Sequence, residues 1–246
     1  MRLKTVATGS SGNCHLLIAD SGETLILDCG VPIKEIKKGL GWNIKKVVGV
    51  LCTHRHLDHS KSAVGLYKTG FYAVAPYLIA SRSEKLSYKL KKSRFDISAF
   101  ALKTADGKWT HTNGDGSECP CYGFWIQHPE MGKMIYATDT ELIKWRFKKV
   151  NHILLGVNYD PELLSGDEAK RNHVIRGHMS IDTACEFVKA NASPDLQNVV
   201  MCHLSKENAD ANKFIEKMKA AVPGANVDVA ETDKEWTLMK GDEPPF

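Results

Sequence analysis

The chain has 246 residues, 43% of them hydrophobic and 25% charged, with a net charge of +4 at pH 7. That length and balance exclude wholesale disorder and suit one α/β domain spanning residues 1–246, with 241–246 as a frayed tail. No run reaches the roughly 18 consecutive apolar residues of a membrane span, and residues 1–11 lack a secretory apolar stretch, so a cytoplasmic protein without a membrane partner is expected.

Residues 14–19 and 24–27 are apolar, strand-prone runs joined by Asp20, Ser21, Gly22 and Glu23, which suits a tight hairpin opening an antiparallel sheet. Residues 47–52 are almost continuously apolar and β-branched, the pattern of a strand buried on both faces, and they run straight into Thr53-His54-Arg55-His56-Leu57-Asp58-His59. A short helix over 60–68 ended by Gly70, a strand over 71–75 and a polar amphipathic helix over 77–92 are expected next. Residues 104–120, rich in Gly, Asp, Thr and Asn, form a loop between a strand ending near Leu102 and another at 122–127. Two more buried strands, 134–138 and 153–157, end at Asp139 and Asn158. Ser180 suits the N-cap of a helix carrying Ile181, Ala184, Cys185 and Val188, and a strand over 199–202 ends at His203. A helix over 207–221 and strands over 226–230 and 236–239 complete the chain.

The cysteines are odd in number, seven, and Cys14, Cys29, Cys52, Cys185 and Cys202 sit in apolar contexts suited to reduced core thiols. Cys119 and Cys121 lack a second close pair to complete a four-thiolate zinc site. Mild basicity alone decides nothing about partners. Lysine-rich stretches at 34–38, 85–94 and 144–149 can track a phosphate backbone or be solvated helix faces.

The chemistry concentrates in residues 53–59, where three histidines and an aspartate supply imidazole and carboxylate donors suited to a borderline divalent ion. In an extended segment residues two apart point the same way, so His54 and His56 can grip one ion. A turn would then aim Asp58 and His59 at a second. Two ions about 3.5 to 4 Å apart can share a bridging hydroxide, a nucleophile available near neutral pH.

The run Thr53-His54-Arg55-His56-Leu57-Asp58-His59 matches the T-H-x-H-x-D-H signature, and the chain resembles the metallo-β-lactamase superfamily. Asp28, Asp139 and His203 fall in matching order. Gly9-Ser10-Ser11-Gly12-Asn13, Asn158-Tyr159-Asp160, Gly177-His178-Met179-Ser180 and the run from His203 to Asn208 are most similar to its bacterial YycJ-type nuclease branch. The resemblance implies an αββα sandwich of two mixed sheets flanked by helices. It implies His54, His56 and His111 on a first ion, Asp58, His59 and His203 on a second, and Asp139 bridging both. His111 is the one histidine in the interval where the family places a ligand, and 113–118 looks like an insertion displacing it. Asp58 and His178 are the implied catalytic residues, the latter as donor to an oxyanion or leaving oxygen. Asn158 is expected to orient substrate or a ligand, and Ser11 and Asn13 to line the pocket, while Asp28 holds the ligand loop. His15, His128, His152 and His173 are assigned structural or surface roles.

The expected function is a dinuclear phosphodiesterase or nuclease acting on DNA or RNA, with two divalent ions, zinc first and manganese or iron as alternatives. No obligate protein partner is evident. A lactonase or other ester or amide hydrolase uses the same hydroxide. A binding or sensing protein with a degenerate first metal site is the reading from a different class.

Overall fold

The computed structural model describes residues 1–78, 85–90, 92–104 and 106–241. Of the backbone elements, β1 (Arg2–Ala7), β2 (Cys14–Ile18) and β3 (Thr24–Leu27) form an antiparallel meander, and β4 (Val47–Leu51) adds parallel to β3 after α1 (Ile33–Gly39). Two short helices, α2 (Leu57–Ser60) and α3 (Ala63–Lys68), lead to β5 (Ala73–Val74), parallel to β4. The second sheet begins with β6 (Lys85–Lys89), β7 (Asp96–Ala101), β8 (Tyr122–His128) and β9 (Gly132–Ala137), all antiparallel. Then β10 (His152–Gly156), β11 (Asn198–Cys202) and β12 (Asn226–Val229) run parallel to β9, with α4 (Glu168–Gly177) and α5 (Ile181–Asn191) before β11 and α6 (Ala211–Ala221) after it. Finally β13 (Glu235–Thr237) returns to pair with β1. The sheet orders are β13-β1-β2-β3-β4-β5 and β12-β11-β10-β9-β8-β7-β6.

Period-two alternation sorts side chains into three apolar layers. Leu25 and Leu27 of β3 point between the sheets to meet Phe124, Ile126 and Tyr136, while the intervening Ile26 faces Ile36 and Leu66 on the helix side. Beyond the second sheet, Ile153, Leu155, Val199 and Met201 pack under Ala184, Val188, Phe214 and Met218 of α5 and α6. This is the expected αββα sandwich. Ser180 caps α5, its Oγ accepting from the Thr183 N–H at 3.1 Å.

The helix expected over 77–92 is not formed: residues 85–89 are a strand, and 79–84 and 91 lie outside the described residues. β6 is an edge strand, and edge strands carry lysines that discourage further pairing, a composition that reads like an exposed helix. β1, α1 and α4 are additions to the expected elements, and the tail over 242–246 also lies outside the described residues. Among the described residues no helix is long and apolar enough to cross a membrane.

Strand ends deliver the site. Asp28 follows β3, Thr53 to His56 follow β4, Asp139 lies two residues past β9, and His203 follows β11. Asp28, Asp139 and His203 adopt left-handed backbone, φ 55°, 50° and 57°, which costs energy for residues with a Cβ and which aspartate tolerates best. Three such residues around one point turn the chain sharply as each strand ends, aiming each side chain inward.

Candidate metal centre

The ligand loop is clamped from beneath. The Asn13 N–H donates to the Asp58 carbonyl at 2.7 Å, the Cys29 N–H to the His59 carbonyl at 2.8 Å, and the Gly30 N–H to the Asn13 carbonyl at 2.9 Å. A Cβ on Gly30 would lie 1.7 Å from the Asp58 carbonyl oxygen, so only glycine permits this approach. α2 then starts directly after His56, turning Asp58 and His59 away from the direction of His54 and His56.

Two groups of donors result. His54, His56 and His111 form one, and Asp58, His59, Asp139 and His203 the other, each with ligand atoms within 4.8 Å of one another. Asp139 touches both. Its Oδ2 lies 3.0 Å from His59 Nε2, 3.4 Å from His54 Nε2 and 4.0 Å from His111 Nε2, and its Oδ1 lies 3.5 Å from His203 Nε2. Asp58 Oδ2 lies 3.3 Å from His59 Nε2 and 3.4 Å from His203 Nε2.

The hydrogen bonds behind the rings decide which nitrogens face the centre. His59 Nδ1 donates to Asp28 Oδ2 at 2.7 Å, and His111 Nδ1 to the Gly177 carbonyl at 3.0 Å. His56 Nε2 donates to Asn113 Oδ1 at 3.2 Å, and His54 Nδ1 lies 3.0 Å from Thr53 Oγ1, whose own proton goes to Asp28. With the outer nitrogens of His54, His56 and His111 used as donors, the other nitrogen of each turns a lone pair inward. His56 Nδ1 and His111 Nε2 face each other at 2.9 Å, and His54 Nε2 is buried with no hydrogen-bond partner. Facing lone pairs and an orphaned buried acceptor, beside carboxylates, are what a cation resolves.

The electrostatics agree. Burial drives His54 well below the ordinary histidine range and His111 to about 4, keeping both neutral. Burial would also lower His59, but Asp139 and Asp28 outweigh it and hold that ring well above its usual value. Burial opposes ionisation of Asp139, yet His203 and His59 keep its carboxyl well below the usual range. The buried carboxylates thus hold positive charge on the one ring they enclose, a demand that divalent ions meet.

Residues 7–121 match the family model of the metallo-beta-lactamase superfamily. The chain is 23% identical over 224 residues to "Exodeoxyribonuclease YycJ" of Bacillus anthracis, covering 85% of this chain and 84% of that one. Its structure superposes on the metallo-beta-lactamase fold protein YhfI of Bacillus subtilis with a TM-score of 0.64 at 17% identity, covering 96% and 98% of the two chains. The short form of human tRNase Z superposes with a TM-score of 0.62 at 15% identity, over 97% and 99%. The chain has the metallo-β-lactamase fold, and its similarity to the family model lies in residues 7–121. Its His/Asp cluster is able to bind divalent metal, as a metal-dependent hydrolase of this superfamily requires.

His111 is not displaced from the first donor group. Residues 113–118 close on themselves: the Asn113 N–H donates to the Ser117 carbonyl at 2.7 Å and the Cys119 N–H returns to the His111 carbonyl at 2.9 Å. The extra residues leave as a small turn, and His111 stays 3% exposed against His56. His111→Ala is accordingly expected to lower bound metal from two ions per chain to about one, measured by elemental analysis on protein of unchanged circular dichroism. Retention of both ions would remove His111 from the ligand set.

The remaining candidates divide. His178 caps the end of α4, its ring 5.7 Å from that of His203 and 5.6 Å from that of His111, so it overlooks the centre half-buried. Asn13 and Asn158 are buried beside the centre, each against one of its histidines. The Asn13 amide lies 3.1 Å from His59 Nε2, and Asn158 donates to the His203 carbonyl at 2.9 Å with Nδ2 3.3 Å from His203 Nδ1. They hold ligands. With Asn158 aiming a donor at His203 Nδ1, metal binding through Nε2 requires that amide to turn and offer its oxygen. Ser11 is exposed on the turn before Asn13. Cys119 and Cys121 are buried free thiols outside both donor groups. His15, His128 and His152 are buried away from the centre with partners at Thr5, Glu23 and the Met131 carbonyl, while the His173 side chain lies outside the described residues.

Sequence reasoning missed Thr53, Asn113, Tyr136 and Thr8. Tyr136 Oη donates to Asp28 Oδ2 at 2.5 Å, and Thr8 Oγ1 accepts from the His203 N–H at 2.9 Å. Thr53 stands inside the motif and was findable. Tyr136 reads as a core strand residue and Thr8 as loop, and nothing in their neighbours reveals a partner so distant in sequence.

Proposed function

We propose that the chain is a dinuclear phosphodiesterase that cleaves DNA or RNA, with His54, His56 and His111 on one ion, Asp58, His59 and His203 on the other, and Asp139 between them. The observation that carries this reading is the position of Asp139, whose carboxylate contacts histidines of both donor groups. A phosphodiester substrate is supported by the relatives, one named an exodeoxyribonuclease and one a tRNase Z. Zinc suits the imidazole-rich donor set, with manganese and iron also accommodated.

When bound, such ions supply an activated water and neutralise charge building on phosphorus. The chain's own residues do the rest. Asp58 Oδ2 is held by His59 and His203, which leaves Oδ1 to accept a hydrogen bond from the attacking water and orient it. His178 Nδ1–H donates to the Val174 carbonyl at 3.3 Å, so it is the imidazolium form of the ring, protonated at both nitrogens, that gives its Nε2 proton to the departing oxygen and is left neutral. Ser11, exposed beside the ligand loop, contacts the substrate as it enters. Seven free cysteines, with the Cys29 and Cys52 sulfurs in thiol–thiol hydrogen-bond contact at 3.6 Å, support a reducing, cytoplasmic setting.

Asp58→Ala tests the assignment. Hydrolysis of a chromogenic phosphodiester and of oligonucleotides is expected to fall at least ~1,000-fold, about 4 kcal/mol of barrier, in folded protein. Clean ester hydrolysis by the wild type, with no phosphodiester turnover under zinc, manganese or magnesium, would overturn the phosphodiesterase reading in favour of an ester hydrolase.

A further inference from the structure

Residues 140–149 leave the metal centre at Asp139 and run back across the outer face of the second sheet without joining a strand or helix. Burial alternates along them. Ile143, Trp145 and Phe147 pack on the core beneath α5 and the second sheet, while Lys144, Arg146 and Lys148 face solvent, followed by exposed Lys149. The inward side is firmly fixed. Phe147 stacks on Trp125 at 5.3 Å and 12°, Trp145 Nε1 donates to the Ala101 carbonyl at 3.0 Å, and the Phe147 N–H donates to Asn191 Oδ1 at 2.7 Å. So the lysine-rich stretch 144–149 is not a solvated helix face. It is an extended comb.

In an extended chain, residues two apart repeat on one side every ~6.6 Å. Anchored aromatics on the other side hold that spacing without the entropy cost of ordering a loose loop. Arg146, Lys148 and Lys149 make no ion pair among the described residues, so their charge is directed outward. The nearest acidic residue along the comb is Glu141, at its start beside the metal centre. Three exposed cations, Arg146, Lys148 and Lys149, carried on a segment that starts at Asp139, fit a polyanion, part of which reaches the metals.

Building on the phosphodiesterase reading, we propose that residues 144–149 are a track for the phosphate backbone of a single nucleic-acid strand whose scissile bond lies at the metal centre. Arg146, Lys148 and Lys149 supply the phosphate contacts, and the track contributes affinity without base selectivity. It is a binding surface, separate from the groups that do chemistry.

The test compares wild type with Arg146→Gln/Lys148→Gln/Lys149→Gln, which keeps long side chains on the surface. A control variant, Lys34→Gln/Lys37→Gln/Lys38→Gln on α1, removes equal charge elsewhere. Binding of a fluorescein-labelled 20-mer single strand is measured in chelator by anisotropy between 50 and 200 mM salt (about 20 nucleotides being ample for three contacts). Loss of three phosphate contacts is expected to make the slope of log K against log salt shallower by about 2 and to weaken binding at least ~10-fold at low salt. The α1 control should keep the wild-type slope, and the comb variant should hydrolyse a small chromogenic phosphodiester at the wild-type rate. An unchanged slope in the comb variant, or an equal change in both variants, would overturn the track while leaving the phosphodiesterase reading intact. A wild type that binds the strand with the expected slope yet cleaves no phosphodiester would overturn that reading instead.

Discussion

Asp139→Asn is expected to lower turnover by at least ~1,000-fold and to weaken both metal sites together, while the protein stays folded. Asparagine preserves the size and tolerates the left-handed backbone that Asp139 adopts at φ 50°, so the substitution removes charge with little other change. The charge matters because the side chain is 5% exposed and meets His59, His54 and His203 at 3.0, 3.4 and 3.5 Å, linking the two donor groups. Removal of a carboxylate confined to one site would spare the other ion. Titration of zinc with a competing chromogenic chelator separates the outcomes. Two weakened sites support a bridging role, and one weakened site with the other intact assigns Asp139 to a single ion.

Asp28→Ala is expected to cost about 3–5 kcal/mol of folding stability. Asp28 is fully buried. It accepts from the Thr53 N–H at 2.8 Å, from Thr53 Oγ1 at 3.0 Å, from His59 Nδ1 at 2.7 Å and from Tyr136 Oη at 2.5 Å. Alanine leaves these donors buried without an acceptor and adds strain at φ 55°. Asp28→Asn keeps an acceptor for Thr53 and the permissive backbone, so it should be milder in urea-midpoint measurements. It turns an amide towards His59, however, and removes the anion that holds that ring's tautomer, for which about 10- to 100-fold weaker metal binding is expected. An asparagine variant with wild-type metal affinity would show that Asp28 only supports the fold.

Much of this was legible in the sequence because strand-ending polar residues are local signals. The apolar run before Thr53, and those before Asp139 and His203, mark buried strands whose last residues must emerge at a sheet edge. The proposed ligand set follows from which donors stand there. What lies behind the ligands was not legible, since Asp28 to Tyr136 and Thr8 to His203 are contacts between residues 108 and 195 positions apart. The helix expected over 77–92 failed for a related reason: a lysine-rich stretch reads alike as an edge strand or as an exposed helix, and only pairing with β7 distinguishes them. The stretch 144–149 was ambiguous for the same reason, until Trp145 and Phe147 were seen packed inward.

The most direct test is anomalous diffraction from a crystal grown with zinc in excess. Two peaks are predicted, one among His54, His56 and His111 and one among Asp58, His59 and His203, with Asp139 in contact with both. Ordered side chains in the same positions with no peak between them would contradict the account at its root.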